Sequence, residues 1–136
     1  MKLAFFDSGI GGLSVLHYAM KILPHEEFIF FADEDNVPYG TKSRQEVLSF
    51  VDSAFEFLTA QGVAAIVVAC NTATSVAVKK MREKYSLPII GMEPALKLAL
   101  DTFPARKVLV TATAITITGE KIRRLITRLH AENFAA

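Results

Sequence analysis

In the stretch "VAAIVVACNTATS" (63–75), every residue from 63 to 70 is apolar, so both faces of an extended segment there are hydrophobic. That pattern belongs to a strand inside a parallel sheet covered on both sides. The run ends at the only cysteine of the chain, and polar Asn71 and Thr72 come next, where a helix is expected to begin. A buried strand leading straight into a helix is the repeating unit of an α/β fold.

The same alternation continues in both directions. "KLAFFD" (2–7), "EFIFFAD" (27–33), "LPIIGM" (87–92) and "RKVLVTA" (106–112) are further strand candidates. Between them, apolar residues return with the helical period. Val47, Val51, Ala54, Phe55 and Leu58 share one stripe, Leu96, Ala99, Leu100 and Phe103 a second, and Ile122, Leu125, Ile126 and Leu129 a third. Pro94 comes after Glu93 where the first turn of a helix tolerates proline. The expected fold is α/β: a doubly wound, mostly parallel sheet of about five strands with helices on both faces and right-handed crossovers.

Composition narrows the function classes. The 136 residues suffice for one domain with a real core. Hydrophobic residues make up 51%, charged residues 21%, and the net charge is +1, which leaves no basic excess for a nucleic-acid groove. One cysteine excludes an internal disulfide framework and suits a reducing cytosol. The longest apolar run falls far short of the roughly 20 residues of a membrane span. The N-terminal "MKLAFFDSG" reaches Asp7 and glycine before a signal-peptide core could form. The expectation is a cytoplasmic protein without membrane or nucleic-acid partners.

In a doubly wound sheet, ligands bind beyond the carboxyl ends of the strands. The loop after each strand candidate is small, polar or glycine-bearing: "DSGIGG" (7–12), "ADEDNVPYGTKS" (32–43), "CNTATS" (70–75), "GMEPA" (91–95) and "TATAITIT" (111–118). These loops are expected to converge on one crevice. "DSGIGG" is no dinucleotide fingerprint, which would need glycine in place of Ser14, and no phosphate loop, which would need Gly-Lys-Ser/Thr. It is a tight turn whose backbone N–H groups, at a helix start, can hold a carboxylate. Asp7 and Ser8 then either stand at the rim of the crevice or merely cap the helix. "VPYGTKS" (37–43) is a turn by chemistry, and Tyr39 either walls a ligand or packs.

Cys70 also has two readings. Free cysteines usually act as small buried hydrophobes. At a helix start, however, the dipole and the free N–H groups favour a thiolate. Asn71, Thr72 and Thr74 add groups of the kind that grip an amino acid's carboxylate or ammonium. His17, His25 and His130 have no metal-ligand spacing with Cys70, and no nucleophile-elbow glycines flank it.

The ordered set Asp7-Ser8-Gly9 with Gly11-Gly12, Pro38-Tyr39-Gly40, Cys70-Asn71-Thr72-Ala73 and Glu93-Pro94 resembles the N-terminal half of bacterial glutamate racemase, and "ATAITIT" (112–118) is similar to that family's next threonine-bearing loop. The resemblance covers essentially the whole chain. The related aspartate racemases share a cysteine-asparagine-threonine stretch but lack the "DSGIGG" opening.

The resemblance implies inversion of the α-carbon of glutamate without pyridoxal phosphate or metal, supplying D-glutamate for peptidoglycan. One cysteine thiolate removes the α-proton and a second cysteine delivers one on the opposite face. An α-hydrogen is a very weak acid, so the base must be desolvated and in contact with it. By resemblance Cys70 is the base for the D-enantiomer. Asp7 assists it and balances the substrate ammonium, and Ser8, Pro38, Tyr39, Gly40, Asn71, Thr72, Thr113 and Thr116 hold the substrate.

The family carries its second cysteine in a glycine-cysteine-threonine-histidine stretch of a second α/β domain, and this chain has neither. The expectation is therefore a first racemase-like domain at 1–95 and, at 96–136, the start of the second, truncated or packed onto the first. Such a chain is expected to be inactive alone. An uncovered edge or helix stripe would favour a homodimer. The alternatives are a non-catalytic amino-acid or dicarboxylate-binding domain, a cysteine-nucleophile hydrolase or transferase, for which no site loop offers a histidine base, and a purely structural role.

Overall fold

The structure, a computed structural model, describes residues 1–103 and 106–133, the side chains of 130–133 excepted. The apolar-to-polar change at Cys70 marks a real boundary: a strand ends at Val68 and a helix begins at Asn71. Four strands, β1 (Lys2–Asp7), β2 (Glu27–Ala32), β3 (Ala65–Val68) and β4 (Ile89–Gly91), make one parallel sheet in the order β2-β1-β3-β4. The helices are α1 (Leu13–Ile22), α2 (Arg44–Ala60), α3 (Asn71–Lys84), α4 (Leu96–Thr102), the short α5 (Ala114–Ile117) and α6 (Glu120–Asn133). The α/β reading holds.

Register explains the core. Ala4 lies opposite Ile66 and Phe6 opposite Val68, so these four share one face of the sheet. They are buried with Val47, Val51, Ala54, Phe55 and Leu58 of α2 and with Ala73, Ala77, Val78 and Met81 of α3. The stripe read at 47–58 is thus the core face of α2. Burying side chains such as Phe55 and Leu58 contributes about 1.5–3 kcal/mol each. Helix α2 starts at a capping box in which Glu46 N–H donates to Ser43 Oγ at 3.2 Å and Ser43 N–H donates to Glu46 Oε2 at 2.8 Å. The opposite face is covered less completely. Phe5 meets Phe28 there, but Ile90 of β4 stays exposed.

Two expectations change. Residues 106–112 join no strand pair, so the sheet has four strands among the described residues. The edge strands are β2 and β4, and the three residues of β4 offer little ladder for a fifth strand to extend. Leu109 accordingly stands 88% exposed. The stripe at 96–103 is only partly covered: Leu96, Ala99 and Leu100 are half-buried, Phe103 is exposed, and no residue of α4 is fully buried. The stripe on α6 buries Ile122, Leu125 and Leu129 and leaves Ile126 partly exposed. Helices α5 and α6 pack against α3. Part of the segment expected to open a second unit, residues 104–105 and 134–136, lies outside the described residues. Among the described residues no helix is long and apolar enough to cross a membrane.

Candidate functional site

The sheet order decides where a site can form. From β1 the chain crosses through α1 to β2 on one side, while β3, on the other side of β1, leads through α3 to β4. The two neighbouring strands therefore send their exits in opposite directions, and a crevice opens beyond their carboxyl ends. Asp7 ends β1 and Cys70 comes just after β3 at this crevice. A cavity of about 770 Å³ lies here. Four of the five loops contribute to its lining, through Asp7 and Gly11, then Cys70, Asn71 and Thr72, then Met92, Glu93, Pro94 and Ala95, and finally Thr111, Ala112, Thr113 and Thr116; residues 108–110 and side chains of α1, α4 and α6 complete it.

The first loop is shaped around the Asp7 carboxylate. Gly12 occupies the N-cap of α1 and no side chain caps that helix, so Asp7 and Ser8 do not serve as its caps. A Cβ on Gly12 would stand 2.9 Å from the Cβ atoms of both Asp7 and Ala69, which only glycine avoids. Asp7 is buried. Ser8 Oγ donates to Asp7 Oδ1 at 3.3 Å and lies 3.4 Å from Cys70 Sγ.

Cys70 is itself the N-cap of α3, in extended conformation, and its sulfur accepts the Ala73 N–H at 3.4 Å. Only 8% exposed, the residue packs with the core while its thiol lines the cavity. Cys70 is thus a core residue and a cavity residue at once, with the Ala73 N–H and the Ser8 hydroxyl as polar partners of its sulfur. Next to it Thr72, Thr113 and Thr116 form a triangle of hydroxyls. Thr72 Oγ1 is 3.0 Å from Thr113 Oγ1 and 3.4 Å from Thr116 Oγ1, and Thr113 donates to Thr116 at 2.9 Å. Asn71 is exposed on the cavity wall.

The turn after β2 stands behind the cavity rather than in its lining. Pro38 is exposed, with a carbonyl that accepts from Thr41. Tyr39 is 2% exposed and packs in the core. Its hydroxyl donates to Asp33 Oδ2 at 2.5 Å. Burial, first, and then the hydrogen bond to Asp33 and the charge on that carboxylate raise the Tyr39 pKa well above the ordinary tyrosine range. Gly40 lets this turn approach the threonine cluster, since a Cβ there would meet Thr113 Cγ2 at 2.8 Å. The sequence reading does not single out Asp33, although it closes the second strand candidate as Asp7 closes the first. Nor does it single out Met92 or Lys121, whose roles depend on contacts between distant segments.

With this geometry in view, comparison with known proteins is informative. Residues 14–136 match the Asp/Glu/Hydantoin racemase family. A glutamate racemase of Halothermothrix orenii is 52% identical over 133 residues, 98% of this chain and 53% of that protein. One of Lachnospira eligens is 57% identical over 128 residues, 93% of this chain and 48% of that protein. The chain spans about half the length of the curated relatives it matches. Among solved structures, glutamate racemase from Aquifex pyrophilus superposes with a TM-score of 0.86 at 32% identity, covering 94% of this chain and 51% of that one. The Francisella tularensis glutamate racemase in complex with D-glutamate superposes with a TM-score of 0.79 at 33% identity, covering 97% of this chain and 50% of that one. Family match, sequence identity and superposition agree: the chain belongs to the Asp/Glu/Hydantoin racemase family.

Proposed function

We propose that this chain is the Cys70-bearing half of a glutamate racemase, and that Cys70 takes the α-proton of D-glutamate. The observation that carries the reading is the Cys70 sulfur itself: buried, facing the cavity, and held between the Ser8 hydroxyl and the Ala73 N–H at 3.4 Å each. A base for an α-hydrogen has to sit in contact with the substrate and out of bulk water, and the place of Cys70 meets both conditions. The half-length match to glutamate racemases supports glutamate as substrate, as does the D-glutamate held by the Francisella tularensis relative.

In this reading Asp7 faces the substrate ammonium and, through Ser8, steadies the thiol. Asn71 and the hydroxyls of Thr72, Thr113 and Thr116 receive the carboxylates, while Pro38, Tyr39 and Gly40 back them. The reaction needs no cofactor. Residues 1–95 form the first α/β unit and 96–136 the opening of the second, packed onto the first, which the contacts of Thr113 and Thr116 with Thr72 support. Cytoplasmic residence, supply of D-glutamate to peptidoglycan synthesis and a homodimer complete the proposal.

Inversion needs a proton acceptor on one face of the α-carbon and a donor on the other. This chain has one cysteine. Alone it is therefore expected to bind D-glutamate and exchange its α-hydrogen slowly, without racemising it. In the exchange the thiolate takes the proton, the resulting thiol trades it for deuterium from solvent, and deuterium returns to the same face of the carbanion. The test is incubation of the pure chain with D-glutamate in deuterium oxide, with NMR and chiral analysis of the product. Deuterium in D-glutamate, lost in Cys70→Ala, is the expected result. Binding without exchange would favour the non-catalytic dicarboxylate-binding domain, and rapid formation of L-glutamate would overturn the one-cysteine limit.

A further inference from the structure

Met92 leaves β4 at the wall of the cavity, and side chains hold both of its backbone polar groups. Its N–H donates to Thr74 Oγ1 of α3 at 3.0 Å, and its carbonyl accepts from Lys121 Nζ of α6 at 2.5 Å. The same ammonium reaches Glu93 Oε2 at 3.1 Å. Buried Thr74 in turn donates to the Val68 carbonyl at 3.2 Å, at the end of the strand that leads to Cys70. A continuous line of hydrogen bonds thus runs from α6 through the cavity wall to the Cys70 loop. Shortly before Lys121 in sequence, Thr113 and Thr116 bring their hydroxyls to Thr72.

Lys121 does not line the cavity. Its ammonium is shared between the Met92 carbonyl and the carboxylate of exposed Glu93; an exposed ion pair contributes little, so the part-buried bond to the Met92 carbonyl is the tie. A tie near the start of α6 also limits how far the preceding α5, packed against α3, can drift.

We infer that Lys121 is a positioning residue: through Met92 and Thr74 it holds the 91–95 wall and the Thr113 and Thr116 hydroxyls in register with Cys70. The inference rests on the glutamate reading of the cavity, and its test separates the two. The whole chain is titrated with D-glutamate by NMR, well below its unfolding temperature, as parent, Lys121→Met, Lys121→Arg, Thr74→Val, Thr74→Ser and the double Lys121→Met/Thr74→Val. Lys121→Met should weaken binding about tenfold, equivalent to ~1.4 kcal/mol, and move the Thr113 and Thr116 methyl signals of the free protein. Lys121→Arg and Thr74→Ser should restore most of the affinity. Because both side chains act on Met92, the double variant should lose less than the two single losses combined. A Lys121→Met chain with lower Tm but unchanged affinity and unmoved methyl signals overturns the inference and leaves Lys121 a structural tie. If the parent itself fails to bind D-glutamate, the glutamate reading falls, and the methyl signals alone decide the positioning role.

Discussion

The hydroxyl of Ser8 lies 3.4 Å from the thiol sulfur of Cys70, across 62 residues of sequence. Ser8 also donates toward Asp7 Oδ1 at 3.3 Å, so one hydroxyl stands between a buried carboxylate and the thiol. The contact exists because β1 and β3 are neighbours in the sheet and their carboxyl ends border the same crevice. In the proposed chemistry Ser8 is the group that orients the sulfur without replacing it as base.

Ser8→Ala should therefore keep D-glutamate α-hydrogen exchange measurable while lowering its rate about tenfold, whereas Cys70→Ala should abolish it. The measurement is deuterium incorporation at fixed pH. Equal rates for the parent and Ser8→Ala would remove Ser8 from the mechanism.

Gly40→Ala should disturb the threonine cluster from behind. The added Cβ would meet Thr113 Cγ2 at 2.8 Å and Thr113 Cβ at 3.2 Å. Crowding of this sort costs about 1–3 kcal/mol, and displacing Thr113 should weaken D-glutamate binding. Thr113→Ser keeps the hydroxyl and deletes the clashing methyl, so Gly40→Ala/Thr113→Ser should recover much of the stability in urea unfolding. Failure of that rescue would show that the Thr113 Cβ, which serine retains, is the obstacle rather than the methyl.

Burial of Tyr39, together with its bond to Asp33, sets an alkaline limit. The Tyr39 pKa is raised in the folded chain, by burial first and by Asp33 next, above the unfolded value near 10. A raised value contributes stability that is present in full below about pH 10 and lost as pH climbs toward the folded value. Tyr39→Phe should thus cost about 1 kcal/mol at neutral pH, with a cost that does not vary below pH ~9 and shrinks above pH ~10. Tyr85, raised chiefly by burial, should account for further alkaline loss that Tyr39→Phe leaves in place. Denaturant midpoints across the alkaline range check this. A cost that grows above pH ~10 contradicts the sign.

Phe55→Ala should be among the most damaging core changes. Phe55 is fully buried between sheet and helices, and its ring centroid lies 5.5 Å from that of Tyr85. Truncation should cost about 3–5 kcal/mol, read as a lower urea midpoint with an unchanged slope. A loss under about 1 kcal/mol would mean the cavity collapses.

The alternation of apolar strands with helical stripes was legible residue by residue where both neighbours of an element were local. The stripe from Val47 to Leu58 became the core face of α2, and the strand ending at Val68 became β3. Asp7, Cys70 and Thr72 were legible as site candidates because each stands at or just past a strand end, and strand ends in this fold class share one edge. Residues 106–112 show where pattern fails. Their apolar run reads as a strand, but a strand needs a partner edge, and the four-stranded sheet does not supply one there.

By itself, then, the sequence determined the α/β class, the strand-to-helix step at Cys70 and the motifs of a racemase, because local period and residue chemistry suffice for these. Only the tertiary structure decided which side chains meet. It set Ser8 against Cys70, Tyr39 into the core on Asp33, and Thr72 beside Thr113 and Thr116. It also made Met92 a junction between Thr74 and Lys121. Most of these contacts join segments that lie far apart along the chain. Their geometry comes from strand order and helix packing, which local periodicity does not encode.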